Sequence, residues 1–565
     1  MKKSGVLLLF FFIFVSAHAG ERLPGYAIAT ATPQATQAGL DILAAGGNAF
    51  DAAVAVTAAL AVTEPTGSGL GGGGFWLLHR AADDTDIFVD GREKAPYAAG
   101  PDMFLGKDGV ADPVLSRDGA LAAGIPGEPA VLAHLAQRYG SFPLKQLLAP
   151  AIRLARDGFA VDSKLAAALD EQWPRLSPAA RDALQTDARA PRPGEILKQA
   201  DLARTLERIA DKGRAGFYEG ETAQQLVRSV RAAGGLWTEV DLQRYEVVER
   251  APLVTKFRDL RIISAPPPSA GGITLAETFN QLEVLGSRAT KPKDATHYLI
   301  ESLRRAYRDR AAYLGDPDFV NIPLFHLMSR QYARDLVSSM HRHKATPSLK
   351  LPPALPVPEG AHTTHFSIVD AAGNRVAATL SINLPFGSGF MAEGTGVLLN
   401  DEMDDFAAST TASNAYGLIG SAANLVAPGK RPLSSMSPTF VEGPRGLLVL
   451  GTPGGSRIIT MVALGILGWT QGLDPAQIVA QPRIHHQYLP DVVQFEPGAL
   501  SAAQQQDLRE RGDTLQALTH PYGNMQALSW NPLTASLQAA SDPRGVGMSA
   551  VVYTHAEKAA ARQTP

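Results

Sequence analysis

Two adjacent threonines, Thr363 and Thr364, stand where a proline-rich stretch, residues 346–358, gives way to an apolar-rich segment, residues 364–369. An internal threonine hydroxyl is a weak nucleophile. One that chain cleavage makes N-terminal gains its own α-amine, with a pKa of about 7.7–8.0, as a proton acceptor. A sharp linker-to-strand boundary is where a chain that cuts itself can present such a residue. Downstream lies the acidic run Asp401, Glu402, Asp404 and Asp405, between an apolar strand at 396–399 and Phe406. A short charge run is ordinarily a solvated turn, but these flanks imply that at least one carboxylate is held inward, where it could pair with an ammonium. Gly454 and Gly455 separate a strand at 447–450 from an apolar, helix-like stretch at 458–467. Two successive amides at such a turn could form an oxyanion hole or simply a turn. Ser434 and Ser435, in KRPLSSMS, are a candidate site or the start of a strand.

Other chemistries find less support. The run Gly71–Gly74 precedes a strand instead of opening a helix and lacks the Lys-Ser/Thr of a nucleotide loop, so close backbone packing is its expected role. His485 and His486 are adjacent, so their side chains diverge, and no third metal ligand accompanies them; a packed or hydrogen-bonded pair is expected. The chain has no cysteine, which excludes a thiol nucleophile, a thiolate metal site and disulfides. No cofactor and no metal is called for.

The elements that must position these groups read as mixed α and β. Residues 34–62 form one helix, a glycine stop at Gly46-Gly47-Asn48, and a second helix apolar nearly all round, hence buried. Strands are expected at 75–78 and 86–89, the latter delivering Arg92 to a loop. Helical patterns run through 120–161, 201–231 and 296–314, and strands at 364–369, 375–382 and 447–450 follow the proline-rich stretch. This predicts a helix-rich first part joined to a sheet-forming second part. The 565 residues carry a formal charge of −3 with no long basic run, which gives no electrostatic reason to bind nucleic acid. Residues 1–19 have the form of a signal peptide: Lys2 and Lys3, an apolar run at 6–15, and Ala17-His18-Ala19 before Gly20. Export to the periplasm or medium is the expectation, with no membrane attachment after removal of the signal, because no other apolar stretch approaches the ~20 residues a bilayer requires.

In order and spacing the chain resembles the γ-glutamyltranspeptidase family of N-terminal nucleophile hydrolases. The likeness covers essentially the whole mature chain and rests on GLDILAAGGNAFDAAVA, SGLGGGGF, DGREKAP around Arg92, APPPSAGG, YLGDPDF, TTHFSIVD, LNDEMDDF, KRPLSSMSPT, GTPGGSRI, PRIHHQYLPD and SDPR. It implies an α+β fold, a four-layer αββα sandwich. It also implies cleavage of the His362–Thr363 bond, giving a large subunit of residues 20–362 and a small one of 363–565 that stay together as one intertwined catalytic domain. Thr363 would then attack the γ-amide of glutathione or another γ-glutamyl compound, with its α-amine as base and the Gly454 and Gly455 amides at the oxyanion. Water or an amino acid or dipeptide acceptor would take the acyl group. The resemblance places Arg92, Ser434 and Ser435 on the substrate α-carboxylate, Asn383, Glu402 and Asp405 around its α-ammonium, and Tyr416 in a lid.

Ser381 stands where many members have a second threonine supporting the nucleophile. The hydroxyl is kept but a methyl is lost, which is worth about 1 kcal/mol of packing and is expected to slow self-cleavage. Position 402 is glutamate or glutamine in relatives, with no change in the reaction expected. Two other readings remain open: a glutaryl or cephalosporin-type acylase of the same fold, whose substrates lack the α-ammonium, and an uncleaved binding relative.

Overall fold

The computed structural model describes residues 22–352, 363–407 and 422–554. Two antiparallel sheets lie face to face with helices on both outer surfaces, as the resemblance implies. The first sheet has seven strands in the order Met548–Tyr553, Gly25–Thr30, Thr363–Val369, Arg375–Ser381, Gly73–Arg80, Thr85–Gly91, Val248–Arg250. The second has six, in the order Ser536–Ser541, Gln526–Asn531, Gly446–Gly451, Thr439–Gly443, Leu260–Ser264, Leu253–Phe257. Gly73–Arg80 shows how period-2 alternation builds the layers. Its Trp76 and Leu78 join the core under the first helix layer, whereas Phe75 and Leu77 join the core that continues into the second sheet.

The first helix layer includes Pro33–Ala44 and Ala49–Thr63, packed on the outer face of the seven-stranded sheet. Gly46 (φ +96°) ends the first helix, and Asn48 starts the second through a capping box with Asp51. All fifteen residues of Ala49–Thr63 are buried, as its all-round apolar pattern predicts. On the other side Gly271–Leu285, Ala295–Tyr313 and Arg457–Thr470 cover the six-stranded sheet.

Among the described residues the first part is helix-rich and the second strand-rich, as expected, but the two are not separate units. The strand that starts at Thr363 pairs with Gly25–Thr30 on one side and Arg375–Ser381 on the other, so strands from both halves of the chain interleave. A central strand needs a backbone partner on each edge, and the first half supplies one of them.

The glycine run behaves as a packing element. A Cβ on Gly71 would lie 1.9 Å from the Leu398 carbonyl oxygen, and one on Gly72 would lie 2.3 Å from that of Ser381. Neighbouring backbones therefore approach more closely than any side chain permits. The histidine pair is likewise structural. His485 bonds Thr460 and Gln487 at 2.9 Å each, and His486 bonds Asp491 at 3.1 Å. Among the described residues no cluster of three or more His, Cys, Asp or Glu is arranged to hold a metal ion.

Candidate active site

Thr363 is the first residue of a strand, and alternation decides what its side chain meets. Thr363, His365 and Ser367 share the face turned toward the second sheet, while Phe366 and Ile368 enter the core under the first helix layer. His365 sits between the sheets, bonded to Thr379 at 2.9 Å and Ser367 at 3.2 Å, with its ring against Gly451. Burial holds this imidazole down at about 3, so it is neutral. Gly451 ends the facing strand, and the turn Thr452–Ser456 follows it before Arg457–Thr470 begins. Gly454 and Gly455 have φ of +138° and +57°, backbone that favours glycine at this strand-to-helix junction.

The partner strand brings Ser381 opposite Thr363. The Thr363 hydroxyl donates to Ser381 Oγ at 3.4 Å, and Ser381 Oγ accepts the Asn383 amide at 2.9 Å. Asn383 turns the chain with φ +73°, and its Nδ2 donates to the Asp401 carbonyl at 3.0 Å and to Asp401 Oδ2 at 3.1 Å. A continuous hydrogen-bonded path thus runs from the nucleophile candidate to the acidic segment.

That segment is not a solvated turn: Asp401, Glu402, Asp404 and Asp405 are all buried. Glu402 and Asp405 meet Arg92, which is 1% exposed. Arg92 Nη1 lies 2.6 Å from Glu402 Oε2, and Nη2 pairs with Asp405 Oδ2. The same guanidinium donates to the carbonyls of Pro432 at 3.3 Å and Leu433 at 3.2 Å, directly before Ser434 and Ser435. Burial works against the charged form of Arg92, but Glu402, Asp405 and Glu93 overcome it and hold the guanidinium charged. Ser434 and Ser435 are buried, and Ser434 Oγ accepts the Met436 amide at 3.1 Å. Arg92, far from the acidic run in sequence, therefore meets it in space.

A cavity of about 710 Å³ opens on Thr363 and is also walled by Pro453, Glu64, Lys164, Arg175, Tyr522 and Asn524, among others. Arg92, Glu402 and Asp405 are not in its wall.

A family model described as gamma-glutamyltranspeptidase matches residues 35–552. The chain is 43% identical to a glutathione hydrolase proenzyme of Pseudomonas sp. (strain A14), over 88% of each protein. It is 42% identical to that of Escherichia coli (strain K12), over 92% of this chain and 90% of the relative. The chain belongs to the γ-glutamyltranspeptidase family. Among solved structures, a cephalosporin acylase from Bacillus halodurans superposes with a TM-score of 0.83 at 27% identity, over 98% of this chain and 100% of that one. Helicobacter pylori γ-glutamyltranspeptidase matches with a TM-score of 0.55 at 38% identity, over 57% of this chain and 93% of that chain. The fold is therefore that of the N-terminal nucleophile hydrolases, and the protein is an enzyme.

Two residues that support the site carried no role in the sequence reading. Asn400 Oδ1 accepts the amides of Glu402 at 2.9 Å and Gly124 at 3.0 Å, while its Nδ2 donates to the carbonyls of Gly71 at 2.6 Å and Gly124 at 2.8 Å. It thereby ties the acidic segment to the glycine run. Asn424 donates to the Asp405 carbonyl at 2.7 Å and accepts the Leu433 amide at 3.0 Å, joining the two segments that flank Arg92. Asn400 lies within the LNDEMDDF motif, which was the available signal; Asn424 had none. His362 and Tyr416 lie outside the described residues.

Proposed function

We propose that this protein is a self-processing γ-glutamyltranspeptidase and glutathione hydrolase whose nucleophile is Thr363. In processing, Thr363 Oγ1 attacks the His362 carbonyl carbon, the C–N bond breaks with protonation of the nitrogen, and water hydrolyses the resulting ester. This frees the Thr363 α-amine. In turnover Oγ1 attacks the γ-amide carbonyl, its proton passes to the α-amine, and the Gly454 and Gly455 amides face the oxyanion, each such donor being worth roughly 3–4 kcal/mol. Collapse expels the leaving amine, which takes the proton. Water or an amino acid or dipeptide acceptor then releases the γ-glutamyl group.

The observation that carries this reading is the hydrogen-bonded path from Thr363 through Ser381 and Asn383 to Asp401, beside a buried guanidinium paired with Glu402 and Asp405. An α-amino acid end presents a carboxylate and an ammonium. Arg92, with Ser434 and Ser435, suits the carboxylate, because a guanidinium offers a bidentate fork. Asp405 and Glu402, with Asn383, suit the ammonium. A substrate seated there exchanges its own charges for the internal pairs of Arg92. A glutaryl group has no ammonium to replace Arg92 at these carboxylates, which favours γ-glutamyl over glutaryl substrates.

Export through the N-terminal signal suits an enzyme acting outside the cytoplasm, and among the described residues no helix is long and apolar enough to cross a membrane. Intact mass of the purified protein tests the reading, with N-terminal sequencing of any smaller piece. Two fragments are expected, one beginning Thr363-Thr364-His365, and the processed protein should hydrolyse a γ-glutamyl anilide but not a glutaryl anilide. A single uncut chain, or preference for the glutaryl compound, overturns it.

A further inference from the structure

Glu64 belongs to none of the groups assigned above, yet it lines the same cavity as Thr363. It follows the last turn of Ala49–Thr63, where its amide donates to the Leu60 carbonyl, and its own carbonyl accepts the amides of Gly67 at 3.0 Å and Ser68 at 3.2 Å. This tight turn is pressed against the nucleophile's residue, since a Cβ on Gly67 would lie 3.1 Å from the Thr363 carbonyl oxygen. The Glu64 main chain is therefore fixed relative to the start of the Thr363 strand.

Its side chain emerges on the helix side of that strand. By alternation this is the face of Thr364, opposite to the face on which Thr363 meets Ser381. The Thr364 hydroxyl lies against the Glu64 carboxyl, and both Glu64 Oε2 and Thr364 Oγ1 are shut off from solvent. Burial pushes the Glu64 carboxyl up, while the Lys164 ammonium and the Thr364 hydroxyl pull it down and Asp162 adds to the rise. The remaining cations on the cavity wall are Arg117, Arg175 and Arg544. Arg175 is spent on the Gly387 and Pro385 carbonyls and Arg544 on Glu496 and Asp542. Of the other acids in the wall, Asp118 pairs with Arg175 at 3.4 Å and Glu171 is exposed. Glu64 is thus the wall carboxylate with a shielded oxygen next to the first residues of the strand.

We infer that Glu64 is a positioning residue for the α-amine that cleavage frees on Thr363, accepting a hydrogen bond from it on the side away from Ser381. The inference rests on Thr363 being the nucleophile. Two constraints then fix the new N-terminus: Ser381 on the hydroxyl and Glu64 on the amine. When Oγ1 bonds to the carbonyl carbon, its proton moves to the amine, and the ammonium so formed sits beside the carboxylate until it gives that proton to the leaving nitrogen. Glu64 itself neither gains nor loses a proton. A nearby carboxylate stabilises the ammonium and raises its pKa. Removing that charge lowers the pKa, so the free base exists at lower pH.

The test compares wild type, Glu64→Gln, Glu64→Asp and Thr363→Ala, using intact mass for processing and kcat and KM for a γ-glutamyl anilide across pH. The amine does not exist before cleavage, so Glu64→Gln is expected to cut like wild type. In the cut enzyme the acidic limb of kcat/KM moves to lower pH by roughly one unit, and kcat falls by about tenfold with KM within about twofold. Glu64→Asp, a carboxylate drawn back by one methylene, gives an intermediate limb, and it carries the test alone should Glu64→Gln not fold. An unmoved limb, or loss of cutting in step with loss of kcat, overturns the inference and leaves Glu64 a packing role. Cutting and hydrolysis by Thr363→Ala would instead overturn the nucleophile assignment beneath it.

Discussion

The two ends of the site are built on opposite principles. Around Arg92 the charges are paired: the guanidinium is buried, paired with Glu402 and Asp405, and bonded to two backbone carbonyls. Around Thr363 the side chain is held loosely, with one long hydroxyl contact to Ser381 and a cavity of about 710 Å³ in front. Recognition of a zwitterion demands fixed charges of both signs, and in a buried setting these survive only when paired. Bond making demands room and a hydroxyl that is oriented but not locked. The path through Ser381, Asn383 and Asp401 lets the rigid end hold the open end in place.

Removing the open end should separate chemistry from folding most completely. Thr363→Ala is expected to give a folded, uncut chain with no detectable γ-glutamyl hydrolysis, read by intact mass and an anilide assay. Cutting at the same bond would mean that the open end does not supply the nucleophile. At the closed end, Arg92→Met strands Glu402, Asp405 and Glu93 without their cation, and breaking a buried pair in this way costs about 3–5 kcal/mol. Denaturant titration should show that loss, with little soluble protein as its extreme. Asp405→Asn is milder, leaving Arg92 with Glu402 and keeping the volume. Self-cleavage should persist while kcat/KM for γ-glutamyl substrates falls by about 10²-fold, corresponding to one lost charge-assisted hydrogen bond of about 2–3 kcal/mol. Wild-type kcat/KM in this variant would remove Asp405 from the ammonium site.

The contrast also explains what could be read from sequence. The buried helix Ala49–Thr63, the strand-to-helix turn at Gly454-Gly455 and the inward acidic run were legible, because each is a local pattern: all-round apolarity, a glycine pair between apolar segments, charges flanked by apolar residues. The meeting of Arg92 with Glu402 and Asp405 came only through resemblance, since no periodicity links residues some 300 positions apart. The edge strand Leu253–Phe257, its neighbour Leu260–Ser264 and the C-terminal strands are five or six residues long with weak alternation and were not read at all. Asn400 and Asn424 are single amides whose importance lies in four backbone segments that only the fold brings together.

A neighbour of the closed end sharpens the comparison through pH. Glu128 is fully buried, and burial pushes its carboxyl up to about 8, with only the Gly69 amide pulling the other way. Its folded pKa lies above its unfolded one, so the contribution to stability is complete below about 4.5 and is lost as pH rises through about 8. Glu128→Gln removes that loss. The variant should match wild type near pH 4.5 and be more stable by a few kcal/mol above pH 8, as measured by urea titration at both values. An equal shift at both pH values would mean that the side chain acts by packing and not by charge.

The smallest expected effect lies at the junction of the two ends. Ser381 Oγ receives the Thr363 hydroxyl and the Asn383 amide, and both bonds survive replacement by threonine, which keeps the oxygen. The added methyl enters a site only 4% exposed, next to Gly72, where a Cβ would lie 2.3 Å from the Ser381 carbonyl oxygen. β-branching restricts χ1 and so narrows the orientations of the oxygen that the Thr363 hydroxyl meets. Ser381→Thr should therefore speed self-cleavage by a few-fold, with a packing gain of at most about 1 kcal/mol, and leave KM for γ-glutamyl substrates unchanged because the Arg92 end is untouched. The rate of fragment appearance on a gel checks the first part and steady-state kinetics the second. A changed KM would show that Ser381 couples the two ends more tightly than a shared hydrogen-bonded path requires.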